Sequence, residues 1–558
     1  MSQINRRTFL KYVGASGTVL YLAPFARANT PAPDLGQFLS RYSPIDRTVA
    51  DVAPRQYYGD DPDVPHRVLW NKDGMKAALA GQKPRPAEQA DVVIIGGGMA
   101  GLTSAYLLRK HKPIVLEQAS RFGGNSKGQS WRGIDYSIGA AYVVEPDEGS
   151  EIDGLMKELG MKDSVTLKEG EDPVSIGNTI FKEFWSGESC GEDEAAREQF
   201  TKLAAYFRSV WDGEEIVYPD IPVTEEDQRE YIDGLDRISF KDHVTKIAGG
   251  PLHPNIETAL EHYCWSSFGA SFGEISAACG LNFYTAEFGN LYVFPGGNSA
   301  IAERLVSKLS TELSPKNLRP SSLVFEVRSH GNGVEVKYFD SKGAINTIVA
   351  KTAIMACPKF VVGRVLQDIE PERLDAIRKL RYNSYLVANV CLKGAPPESF
   401  YDLYMLGDGK IASQDVRTET ARKGVTDVIL GNFSVPGKQD TVLTLYKGVP
   451  YQGSRAEIYD PKSYDSVRAK FEEQIRSTIL PLLKMTPDRI VDIRVARWGH
   501  PLPVAAQGLI ADKVIDQVRK PFKNRIFFVE QDNWALPAFE TAVMEAYHWA
   551  PEVEKLLG

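Results

Sequence analysis

Cysteine is scarce in this chain and follows no pattern. The five residues (Cys190, Cys264, Cys279, Cys357 and Cys391) are scattered, with no C-x-x-C or C-x-x-C-H spacing. That excludes c-type haem attachment, a zinc ribbon and a disulfide framework, and no metal site is expected. Each cysteine reads as a small buried residue. Long apolar runs are also missing. Beyond the N-terminus nothing approaches the about 20 apolar residues that span a bilayer, so no transmembrane segment is expected in the mature chain. Positive charge is not in excess either. The formal net charge is −8, and the residues after position 28 hold 61 basic against 73 acidic side chains. That balance argues against a nucleic-acid partner and suits a cationic small molecule. What remains is a chain of 558 residues, 43% apolar and 25% charged. It is long enough for several cores and more than one domain.

The most informative stretch is Asp91 to Glu117, DVVIIGGGMAGLTSAYLLRKHKPIVLE. Val92 to Ile95 is an apolar run bounded by glycine, which reads as a buried parallel strand. Gly96, Gly98 and Gly101 form a G-x-G-x-x-G turn. Met99 and Ala100 open a helix predicted to Lys110, and Ile114 to Leu116 reads as the second strand. The glycines serve a tight turn, close approach of backbone N–H groups to a pyrophosphate, and close packing of helix on strand. The helix N-terminus adds positive partial charge under the phosphates. Glu117, 21 residues after Gly96, is placed to accept hydrogen bonds from ribose hydroxyls, with Gln118 beside it. The stretch therefore predicts a dinucleotide site.

The N-terminus is a targeting signal. Arg6-Arg7 lies in N-R-R-T-F-L-K, a mildly apolar run from Tyr12 to Phe25 follows, and Ala26-Arg27-Ala28 offers a small-x-small cleavage site. This is the pattern of Tat export. The expectation is a periplasmic protein that folds around its cofactor before it meets the Tat translocase.

After Glu117 come Arg121-Phe122-Gly123-Gly124-Asn125 and a strand and turn at Gly133 to Tyr142. An acid-ended second strand, then R-x-G-G, then a strand closing on a glycine turn resembles the flavin amine oxidase superfamily. These are FAD oxidoreductases of the glutathione-reductase type. In wording the chain is similar to spermidine dehydrogenase-like bacterial proteins. Phe294 to Leu309 resembles the family's G-G-x-x-x-L-x-x-x-L segment, Ala350 to Pro358 the strand that re-enters the FAD sheet, and Arg525 to Ala550 the last FAD strand and helix.

The resemblance implies an α/β chain, a Rossmann-like FAD-binding domain built from three chain segments with an α+β substrate domain inserted between them. The expected order is a Tat signal peptide at 1–28, an extension wrapping the first domain at 29–88, FAD-binding parts at 89–150, 291–365 and 501–558, and substrate-domain parts at 151–290 and 366–500. It implies FAD as cofactor, held by Gly96, Gly98, Met99, Ala100, Gly101, Glu117, Gln118, Arg121, Gly123, Gly124 and Asn125. Val324 would hold the adenine through its backbone, Glu530 or Asp532 would meet the ribityl or pyrophosphate region, and the helix at Phe539 would face the flavin pyrimidine. Trp498, His500 and Trp534 are the candidates around the flavin ring.

Several positions depart from the family pattern. Asn125 replaces a common Arg, Ser137 stands in place of an Asp, and Thr541 and Tyr547 replace helix glycines. The strand Tyr385 to Leu392 holds no Lys, and Lys393 falls just past its end. The implied activity is oxidation of an amine, polyamine-like, by hydride transfer to flavin N5. The electron acceptor is oxygen, a quinone or a carrier protein. Two alternatives keep the cofactor: desaturation or isomerisation of C–C bonds in an apolar lipid, and a non-catalytic flavin-binding role.

Overall fold

The computed structural model describes residues 51–83, 85–223, 228–408 and 424–558. The expected export signal and the extension up to residue 50 lie outside the described residues. Among the described residues no helix is long and apolar enough to cross a membrane.

A seven-stranded sheet is built from three distant parts of the chain. Its order is Leu318–Arg319, Ile114–Leu116, Glu88–Ile95, Ile345–Met355, Gly333–Phe339 and Leu323–His330, with Ile526–Phe528 added beside the end of Ile345–Met355. The strands around Glu88–Ile95 run parallel, and the 323–350 portion is an antiparallel meander. The apolar run in the central strand follows from this position. Successive side chains point to opposite faces, and both faces are covered. Val92 and Ile94 pack against the helices Met99–Leu107, Ser299–Glu312 and Phe539–Leu557. Val93 and Ile95 enter the core that holds Val362, Ile377 and Ile515 on the opposite face.

The first helix ends at Leu107 rather than Lys110. Its last residues instead form a single turn Arg109–His111, and Lys112 adopts a left-handed conformation. No apolar side chain at 109–112 is available to hold another helical turn on the sheet.

An eight-stranded sheet forms the second body. Its order is Tyr57–Gly59, Ile490–Pro503, Tyr382–Leu392, Thr441–Val449, Asp427–Leu430, Asp402–Met405, Val174–Ile176 and Thr179–Phe181. Helices from Glu194 to Thr285 sit beside it, among them Pro254–Ser267 and Ala277–Thr285. Two expectations need adjusting. The extension does more than wrap the first domain: Tyr57–Gly59 pairs in parallel with Val495–Arg497 and so completes the edge of the second sheet. The strand at Ile490–Pro503 continues past position 500: its pairing with Tyr382–Leu392 runs from Leu392↔Ile490 to Tyr382↔Pro503, with a bulge at residues 499–501, where the register shifts between Asn383 and Tyr385. A small three-stranded sheet of Tyr142–Val144, Leu291–Val293 and Thr166–Lys168 joins the two bodies.

Candidate active site

The glycine turn is a cradle of bare backbone. A side chain on Gly101 would place its Cβ 2.0 Å from the Gly96 carbonyl oxygen, so only glycine lets helix and strand approach there. Gly98 caps the helix Met99–Leu107 and offers no side chain to the first-turn N–H groups. Gly124, with φ +57°, faces it: a Cβ there would lie 2.9 Å from the Gly98 Cα. The Gly123 N–H donates to the Gly97 carbonyl at 2.7 Å, which locks the second glycine pair onto the first.

A cavity of about 1840 Å³ opens along this cradle. It reaches Gly96, Gly98, Met99 and Ala100, then Glu117, Gln118, Arg121, Gly123, Gly124 and Asn125, and Val324, Glu530, Asp532 and Phe539 from the later chain. Gly101 stays behind the wall, in its packing role. Glu117 is buried and accepts from the N–H groups of Gly97 (2.7 Å) and Ala119 (2.8 Å). Burial pushes its carboxyl up and the charge of Lys127 opposes that shift. Arg121 pairs with Glu303 at 2.9 Å and donates to the Gly128 carbonyl at 2.8 Å. The Asn125 amide donates to the Pro501 carbonyl at 2.8 Å, so the residue in place of the common Arg ties the glycine loop to the second sheet.

Glu530 and Asp532 both belong to one buried network. Lys359, fully buried, pairs with Glu530, and its backbone N–H donates to Asp532 at 2.9 Å. Tyr382 donates to Asp532 as well. Behind them Glu545 accepts from Asn533 and from Trp534 Nε1. Burial and the charge of Asp532 push the Glu530 carboxyl up. The network fixes the corner between the last strand and the helix Phe539–Leu557, whose first turn lines the cavity. Thr541, on that turn, is fully buried, and its hydroxyl has no hydrogen-bond partner.

The FAD group fits these residues. The cradle leaves no side chain where a pyrophosphate would approach, uncapped N–H groups point from two helix N-termini, and an orphaned hydroxyl lies at the second of them.

The three candidates for the flavin ring fare differently. Trp498 lines the cavity, and its indole N–H donates to the Ile138 carbonyl at 2.7 Å. His500 lines it too, its ring 4.7 Å from Phe360, and its Nδ1 lies 3.2 Å from the Tyr459 hydroxyl. Burial, with Arg455 nearby, holds His500 well below the usual imidazole range, so it is neutral at pH 7. Trp534 does not reach the cavity. Its indole is drawn inward to Glu545 at 2.8 Å, with the Arg519 guanidinium 5.2 Å from its ring.

Sequence reasoning missed the wall that the second sheet contributes. Asp402 and Asp427 each open an otherwise apolar strand and are 3% and 1% exposed, yet both line the cavity. Glu287 joins them and accepts from the Tyr142 hydroxyl at 2.8 Å and the Tyr263 hydroxyl at 3.1 Å. Asp172 lies close enough to act on all three and pairs with Lys168 at 2.7 Å. Burial raises Asp427 to about 6. Burial, with Asp427 and Asp172 beside it, raises Asp402 well above the ordinary carboxylate range. Tyr385, Tyr404 and Tyr446 line the same wall, and the rings of Tyr385 and Tyr446 meet edge to face at 5.7 Å. An acid at the head of an apolar strand was the available signal.

The profile described as flavin containing amine oxidoreductase matches residues 99–524. The chain is 25% identical over 532 residues to the oxidoreductase PigB of Serratia sp., covering 84% of this chain and 76% of that one. It is 27% identical over 377 residues to the flavin-containing amine oxidase A of Canis lupus familiaris, covering 64% and 67%. Among solved structures, a putrescine oxidase double mutant superposes with a TM-score of 0.60 at 16% identity, covering 84% of this chain and 100% of that one. A fatty acid isomerase from P. acnes gives 0.59 at 14% identity, covering 83% and 98%. At such identities the structural likeness is one of fold. The profile match and the relatives, taken with the glycine cradle and its cavity, show that this chain belongs to the flavin-containing amine oxidoreductase family and is an FAD-dependent oxidoreductase.

Proposed function

We propose that the protein oxidises a C–N bond of a polyamine-like amine, one that carries a second cationic group. The observation that carries this reading is the pair of buried carboxylates Asp402 and Asp427, with the half-buried Glu287 beside them, on a tyrosine-lined wall of the cavity that also holds the glycine cradle. Buried carboxylates cost folding energy unless something positive meets them. An ammonium entering this wall would restore their ionised forms, and the rings of Tyr385, Tyr404 and Tyr446 would cover its methylene chain. FAD, when bound, supplies the hydride acceptor. The reacting nitrogen must be neutral to give up hydride, and the aromatic lining favours that by keeping water away. Trp498 and the neutral His500 form part of that lining. An apolar lipid would find no use for the carboxylates, which weighs against C–C desaturation or isomerisation.

The twin-arginine segment at Arg6-Arg7 supports a periplasmic location after Tat export. Oxygen, a quinone or a carrier protein would then take the electrons.

The test is anaerobic bleaching of the bound flavin by a panel of monoamines, diamines and triamines, with unsaturated fatty acids in parallel. Diamines and triamines are expected to bleach it at the lowest concentrations. Bleaching by monoamines alone, or by none of the amines, would overturn the reading. Fusing residues 1–28 to a reporter exported only when folded tests the location.

A further inference from the structure

Four cationic side chains line the cavity: Arg55, Arg121, Lys127 and Arg497. Three are committed elsewhere. Arg55 pairs with Asp465 at 2.8 Å. Arg121 pairs with Glu303 at 2.9 Å. Arg497 donates to the Ile458 carbonyl at 2.7 Å, and its guanidinium lies 4.7 Å from the Tyr57 ring centroid. Among the described residues the Lys127 side chain makes neither a hydrogen bond nor an ion pair; its backbone carbonyl accepts from the Ile138 N–H at 3.0 Å. Its ammonium stands 5.8 Å from the Trp498 ring centroid. Its stem runs past Gly123, with Cγ 3.6 Å from where a Gly123 Cβ would lie. The carboxylates nearest in charge are Glu117 and Asp60, with Arg121 as the nearest like charge and Asp61 more distant. Both close carboxylates are engaged: Glu117 by the Gly97 and Ala119 N–H groups, Asp60 by the Gly499 N–H at 2.9 Å. Burial pushes the Lys127 ammonium down from the ordinary lysine range.

The half-buried Lys127 ammonium faces the cavity with no ion pair of its own among the described residues, which leaves it open to an anion. The loop that carries it meets the helix N-terminus at Gly98 and Gly124, where a pyrophosphate would be cradled. We propose that Lys127 is the counter-charge for the FAD pyrophosphate, the one cation of the cavity left free to reach it among the described residues. Asn125 is occupied in tying the same loop to Pro501, so the charge comes from two residues further on. This role holds whatever amine the enzyme oxidises.

The experiment compares holoprotein of the wild type with Lys127→Met, Lys127→Gln, Lys127→Arg and, as a control on a cavity cation already paired, Arg55→Gln. Phosphorus NMR of the bound FAD is the first readout, and it works whether or not the flavin is covalently linked. The pyrophosphate resonances are expected to move most in Lys127→Met and Lys127→Gln, to move less but measurably in Lys127→Arg, and to be unchanged in Arg55→Gln. Where the flavin can be released, its release should quicken about tenfold in the neutral variants and lose part of its salt dependence. The midpoint potential of the flavin should stay put. Resonances that do not move in the neutral variants would overturn the proposal. So would a shifted potential with unchanged resonances, which would assign the ammonium to the ring. If both neutral variants fail to fold, Lys127→Arg still decides: a changed pyrophosphate environment supports contact, and an identical one with the longer, forked head group opposes it.

Discussion

The two walls of the cavity bind by opposite means. The wall from the first sheet is made of what is missing: glycines without side chains, helix ends without caps, and N–H groups left open. The wall from the second sheet is made of what is present, acids and tyrosines set into the cavity lining. The first is a contiguous stretch of chain plus a loop beside it, with the distant helix end at Phe539 added. The second collects Glu287, Tyr385, Asp402, Tyr404, Asp427 and Tyr446 from five separate segments. A bare-backbone wall should tolerate no addition, and a side-chain wall no subtraction.

The largest expected effect tests the bare wall. In Gly98→Ala the new Cβ meets only the Gly124 Cα at 3.6 Å, an ordinary contact, and the backbone at Gly98 is already in an extended conformation open to alanine. The apoprotein should fold with an unchanged melting temperature. The methyl group fills the space a pyrophosphate would occupy, so FAD affinity should fall about a hundredfold, near 3 kcal/mol. Gly101→Ala is the counterpart. Its Cβ would strike the Gly96 carbonyl at 2.0 Å, so stability itself should drop. Melting curves with and without FAD separate the two, and equal losses in both variants would erase the distinction between cradle and packing.

The next effect tests the wall of acids. Asp402→Asn and Asp427→Asn keep size and remove charge. Each should raise KM for a diamine about ten- to a hundredfold and leave a monoamine nearly untouched. A matched loss for both substrates would mean that the acids serve the fold rather than a second cation. Neutralising them should also relieve burial cost, so melting temperature is expected to hold or rise.

The contrast also explains what could be read beforehand. G-x-G-x-x-G, Glu117 and Arg121-Phe122-Gly123-Gly124 lie within 29 residues of each other, and local spacing is what a sequence displays directly. The central strand was equally open to reading, because a position covered on both faces admits only apolar side chains. Lys359 was not. Its value comes from Glu530, 171 residues away, and only the sheet brings them together. Trp534 was misjudged for the same reason: its proximity to the last strand was visible, but its turn toward Glu545 was not. Asp402 and Asp427 carry no motif that marks them, and an acid at the head of a short strand goes to water more often than to a cavity wall.

A smaller effect follows pH. Burial lifts Asp427 to about 6 in the folded chain, against about 4 in an unfolded one. The folded state therefore binds the extra proton between these values. The associated stability is full below about 4 and is lost as pH rises through about 6. Diamine binding should move the other way, strengthening as the carboxyl ionises through the same range. Asp427→Asn should flatten both curves. Melting temperature and KM measured from pH 5 to 7.5 give the two slopes, and parallel slopes would contradict the assignment.

The smallest expected effect sits where the two means of binding meet. Thr541 places a buried hydroxyl without a partner on the first turn of the helix Phe539–Leu557, beside Phe539 and Glu540. A polar group left unpaired in a dry site destabilises the apoprotein by about 1–3 kcal/mol. Thr541→Val removes the hydroxyl and keeps the shape. In the apoprotein the change should be neutral or stabilising. If FAD takes the hydroxyl's hydrogen bond, the same variant should bind FAD more weakly, by a few-fold. Opposite signs for apoprotein stability and FAD affinity would mark Thr541 as a side-chain contact grafted onto a backbone wall. The same sign in both would return it to packing, and leave the N–H groups of that helix as the whole of the second cradle.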